Sequence, residues 1–192
     1  MFLALSRLID SLNEKIAEAV SWALLAAVLI CAGNALVRYI FSNSSNAWLE
    51  IQWYLYAAMF MLAASHTLKR DEHVRIDVIV GRFSRRTQVV IDLLGFLFFM
   101  LPVCGLILHY GIPFAWLSIE SGEMSSNAGG LIVWPAKLLV PVGFALLVLQ
   151  AISEIIKRVA FLAGRIDDSS FSKQVVTPQD EIAAIKAANQ LK

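Results

Sequence analysis

Charge is what this sequence is short of. Charged residues make up 16% of the chain and hydrophobic ones 58%, whereas a soluble domain carries about 25% charged residues. Too few charges remain to clothe a water-facing surface, so a membrane protein is expected. No Asp or Glu stands near the middle of a long apolar run, which argues against a proton-coupled exporter, where a mid-membrane carboxylate is expected. Histidines are few: His66 and His109 fall near opposite ends of their apolar segments and His73 lies between segments, so no pair can ligate one haem inside a bilayer about 30 Å thick. The two cysteines, Cys31 and Cys104, sit in apolar runs without metal-type spacing and read as small buried hydrophobes. A phosphate loop and a nucleophile beside a base are both missing, so no catalytic, cofactor-binding or metal-ligating residue is expected. With a net charge of +1, nucleic acid is not an expected partner. A cleavable export signal is not expected either, because Met1 to Glu18 spreads Arg7, Asp10, Glu14, Lys15 and Glu18 among its apolar residues.

What charge there is lies in clusters. Lys69 to Arg86, KRDEHVRIDVIVGRFSRR, holds six of the sixteen basic residues between two long apolar runs. Basic loops beside spanning segments stay in the cytoplasm, so this loop orients the chain. Spans are expected over Ala19–Phe41, Trp48–Leu68, Val89–Tyr110 and Trp134–Ile156, each near the 20 residues that cross a bilayer. Ser42–Ala47 is a tight outer turn, and Gly111–Leu131, without Lys or Arg, is an outer loop. Pro102 is expected to kink the third span. Before the first span, Leu5, Leu8, Ile9, Leu12, Ile16 and Val20 follow the spacing of an amphipathic helix suited to the inner membrane surface.

After Gly164 the chain turns polar and Ser-rich, and Thr177 with Pro178 opens a short C-terminal helix. The expected architecture is an all-α membrane protein with four transmembrane helices and both ends in the cytoplasm. Residues 1–164 form the membrane domain and 165–192 a cytoplasmic linker and helix.

Ionisable groups at span ends are the remaining candidates. Arg38 and Glu50 stand at similar depth across the first hairpin and either pair with each other or anchor separately at the interface. Asp92 is expected to face Arg85, Arg86 or the headgroups. Glu154 with Lys157 and Arg158 has the spacing of a local surface pair. The loop residues His73, Arg75 and Asp77 alternate with Val74 and Ile76, a pattern that sets apolar groups on one side if the segment is extended.

Arg38-Tyr39-Ile40-Phe41, Trp48 with Glu50, and His73-Val74-Arg75-Ile76-Asp77 together resemble the small membrane (Q) subunit of tripartite ATP-independent periplasmic (TRAP) transporters, over Leu8 to Arg158. Gly129 to Arg158 resembles most closely the branch labelled for mannitol and chloroaromatic compounds. Many members carry two adjacent acids after the Trp, where this chain has Leu49 and Glu50.

The resemblance implies a scaffold subunit in the bacterial inner membrane, part of a sodium-driven importer of organic acids. It also implies two partners besides membrane lipids: a large multi-span transport subunit and a periplasmic substrate-binding protein. Arg38, Trp48, Glu50, His73, Arg75 and Asp77 become the candidate interface or structural residues. The alternative from another class is a small membrane redox subunit of cytochrome type. Reporter fusions are expected to place both termini and residues near Gly81 in the cytoplasm and residues near Ser44 and Ser126 outside; an external signal at Gly81 would overturn that orientation.

Overall fold

A computed structural model describes residues 2–42, 45–70 and 83–166. The expected C-terminal helix lies outside these. The described residues form long helices: α1 (Phe2–Phe41), α2 (Asn46–Lys69), α3 (Arg85–Gly95), α4 (Leu101–Ser121) and α5 (Trp134–Leu162), with a π-helical turn, Phe96–Met100, joining α3 to α4. The chain runs up and down, so one end of the bundle gathers Phe2, Lys69, Arg85 and Leu162. We call this the charged end. The other gathers Phe41, Asn46, Ser121 and Trp134 and is the loop end.

The amphipathic N-terminal segment continues into the apolar run as one helix of 40 residues, about 60 Å long. The third apolar run also exceeds its expected bounds. Gly111 and Pro113 look like helix breakers, yet the helix passes through both and stops at Gly122, whose left-handed φ of 60° lets Glu123 N–H reach back to Ser118 O. Gly111–Ser121 is therefore helix rather than outer loop. Similarly, α5 does not stop at Ile156 but carries Lys157 and Arg158 inside it. The disturbance expected at Pro102 takes the form of the π turn just before it, where Leu101 N–H bonds to Phe96 O five residues back.

Leu3–Phe41, Arg85–Ser121 and Trp134–Leu162 are each long and apolar enough to cross a membrane. At 24 residues, or about 36 Å, α2 has the length as well. Its half toward the loop end dilutes the hydropathy with Glu50, Gln52, Tyr54 and Tyr56.

The centre of the bundle is α5, which packs on α1, on α2 and on the α3–α4 rod, while α1 and α4 share no extended contact. Burial is inverted relative to a soluble protein. Ser6, Asn13, Gln150, Ser153 and Glu154 are buried, whereas Leu8, Leu29, Phe99 and Trp116 are exposed, as suits a protein whose solvent is hydrocarbon. Cys104 is buried as expected, but Cys31 is exposed on α1. A small apolar core of Leu68, Phe96 and Ala151 joins α2, the π turn and α5.

At Gly143, α5 packs tightly against the backbone of α2. A Cβ there would stand 2.7 Å from the backbone oxygen of Met61, and that oxygen cannot move without shifting α2. Gly143→Val is therefore expected to destabilise the protein by about 1–3 kcal/mol, read as a lowered unfolding midpoint in detergent. An unchanged midpoint would mean that the helices can separate there without loss.

Candidate functional site

At the charged end, the face of α1 that meets α5 is polar. Ser6, Asp10 and Asn13 recur at helical spacing and align with Gln150, Ser153 and Lys157 of α5. The hydroxyls of Ser6 and Ser153 are 2.7 Å apart, and Asn13 Nδ2 donates to Gln150 Oε1 at 2.7 Å. Gln150 Nε2 donates in turn to Asp10 and to Glu154. Glu154, only 1% exposed, accepts from Lys157 and Arg158, each at 2.5 Å.

Second carboxylates complete the cluster. Lys157 also reaches Asp10 at 3.1 Å, and Arg158 reaches Asp92 of α3 at 3.4 Å. The Arg158 guanidinium lies 4.7 Å from the centre of the Phe96 ring. On the flank, Lys69 of α2 binds Glu14 and the carbonyl of Asp10. One connected network thus joins α1, α2, α3 and α5. It corrects the reading of Glu154, Lys157 and Arg158 as a surface pair: the local spacing is right, but all three side chains are buried. Arg158 is also a partner of Asp92 that the spacing of charges in the sequence did not suggest.

At the loop end, Glu50 stands in the opening turns of α2 and is 3% exposed. Its Oε1 accepts from Asn127 Nδ2 at 2.9 Å and from the Ser125 hydroxyl, and its Oε2 accepts from Leu131 N–H at 2.6 Å. Gly130 fits because a Cβ there would lie 2.7 Å from Glu50 Oε1. The loop is drawn into a narrow hairpin by a bridge between Met124 and Ile132. Asn46 and Tyr54 of α2 donate to the carbonyls of Ala128 and Ile132. Across the loop, Glu123 accepts from Lys137 and from Ser118, and these two hydrogen bonds hold its carboxyl below the usual range. The Lys137 ammonium also lies 4.2 Å from the centre of the Phe114 ring.

The candidates named from sequence therefore separate. Glu50 is a loop clasp and not the partner of Arg38, which is exposed on α1; the pairing fails because Ser125, Asn127 and Leu131 take up both carboxylate oxygens. Trp48 is half-exposed beside α1. His73, Arg75 and Asp77 lie outside the described residues. His66 and His109 belong to α2 and α4, helices that share no extended contact. The network around Gln150 was missed, although polar residues at spacings of three and four in both α1 and α5 were a signal for it. In both clusters the polar groups spend their hydrogen bonds on one another. Such an arrangement fastens helices to one another.

Comparison with known families finds a match to the family described as tripartite ATP-independent periplasmic transporters, DctQ component, over residues 27–161. No curated protein matches the chain.

Because Lys157 and Arg158 each keep a second carboxylate, removing Glu154 should cost near the lower end of the range for a broken buried pair. Glu154→Ala is expected to lose about 3 kcal/mol and Ser6→Ala about 1 kcal/mol, compared by unfolding midpoints in detergent. Equal, small effects would mean that the cluster is solvated.

Proposed function

The chain belongs to the DctQ component family of the tripartite ATP-independent periplasmic transporters, and from that premise we propose that this small membrane subunit works as a fixed, non-catalytic scaffold for the large transport subunit. In this reading α2 is a fourth span, and both ends of the chain lie on the cytoplasmic side of a bacterial inner membrane. Aromatic residues at the loop end of α2 and basic residues at the charged end support that orientation. The complex is a sodium-gradient-driven importer of organic acids, supplied by a periplasmic binding protein. His73, Arg75 and Asp77 serve as partner-interface or structural residues of the cytoplasmic loop. The family match lends no support to a redox subunit.

The observation that carries the scaffold reading is a seam along α5. Leu138, Val142, Ala145, Leu149, Ile152 and Ile156 alternate at spacings of four and three, the repeat of a helix that packs against another helix. The most open of them are only 37–41% exposed, whereas the ridges of α1 and α4 carry Leu29 at 63% and Leu106 at 60%. A recessed, strictly apolar seam on the central helix suits a helix of the large subunit better than disordered lipid. Ala145→Trp should lower recovery of the large subunit with this chain roughly tenfold, while Leu106→Trp on the exposed ridge of α4 should not. Equal recovery of both variants would refute the seam, and solute uptake by the partners without this chain would refute the scaffold.

A further inference from the structure

At the loop end, α1 and α2 enclose a groove of about 470 Å³ lined by Leu29, Ile30, Gly33, Asn34, Val37 and Trp48. Its wall on α1 extends for about 12 Å, less than half of a hydrocarbon core about 30 Å thick. Its floor is open at Gly33, where an added Cβ would meet nothing within 4 Å.

Directly beyond the groove, one turn past Asn34 and on the same side of α1, stands Arg38. Among the described residues no carboxylate pairs with it. The nearest candidate in sequence across the hairpin, Glu50, has both oxygens engaged by the loop. The order along the groove is thus cation, then indole and amide, then a slot lined by aliphatic carbon.

We infer that this groove is a binding site for one phospholipid, with Arg38 holding the phosphate, Trp48 at the level of the glycerol, and one acyl chain lying over Gly33 between Ile30 and Val37. Charge decides the occupant. An exposed guanidinium at the mouth of an apolar slot matches a headgroup phosphate, which Arg binds through two parallel hydrogen bonds. Length argues the same way. A transmembrane helix needs an apolar surface across both leaflets, as the α5 seam provides, whereas this slot serves one leaflet only.

The test uses the full chain in detergent, supplemented with dioleoyl phosphatidylglycerol, washed, and read both by bound phosphorus and by native mass spectrometry. The parent protein is expected to retain one phospholipid per chain. Gly33→Leu puts a side chain into the slot from a position where the added Cβ meets nothing within 4 Å, and Arg38→Gln removes the cation; each should reduce retention about fivefold or more. Both variants should keep the parent's unfolding midpoint or exceed it. Gly105→Leu, the same change at an open position of α4, should retain the lipid. Full retention by Gly33→Leu and Arg38→Gln would overturn the site. So would loss of the large subunit from either variant with lipid retained, which would give the groove to a protein helix.

Discussion

A carboxylate taken out of water must find its partners within the protein, and at Glu154 that requirement organises the charged end. With both of its oxygens on Lys157 and Arg158, the pair of cations is fixed in direction, and each then takes a second acid from a different helix, Asp10 of α1 and Asp92 of α3. The desolvation of so many charges is offset only if the geometry is good and the remaining lone pairs are filled. Gln150 and Ser153 do that filling. Helix association among hydrocarbon chains gains little from apolar contact, so a polar network of this kind supplies direction that Leu and Phe cannot.

At the loop end, Glu50 solves the same problem with uncharged donors alone. Glu50 collects donors from a loop about 80 residues further along the chain, which ties the start of α2 to the entrance of α5. The subunit is therefore fastened at both ends by carboxylates and left apolar between them. Its outer surface is free to meet lipid and a partner, as the proposed scaffold role requires.

Much of this was legible in the sequence. Long apolar runs announce helices, and the charge deficit announces the medium. Of the N-terminal apolar stripe, Leu5, Leu8 and Leu12 are exposed and Ile9 is buried, while Ser6, Asp10 and Asn13 pack against α5. Helix ends were less legible, because Gly111 and Pro113 carry the local signals of a break that the surrounding helix overrides. The pairing of Asp10 with Lys157 could not be read from spacing, since it joins residues 147 positions apart and depends on which faces of α1 and α5 meet. The Arg38–Glu50 pairing failed for a related reason: matched depth across a hairpin says nothing about a loop that arrives later and claims the acid.

The π turn at Phe96–Met100 places one additional residue in an otherwise regular rod. One extra residue turns everything beyond it by about 100° relative to what precedes it. Asp92 and Phe96 before or at the turn, and Gly111 after it, can therefore all address α5, meeting Arg158, Ala151 and Pro141 respectively. Along this rod the number of residues sets which side chains face the central helix, and removing any one from the turn would disengage either the Asp92 contact or the Gly111 contact from it.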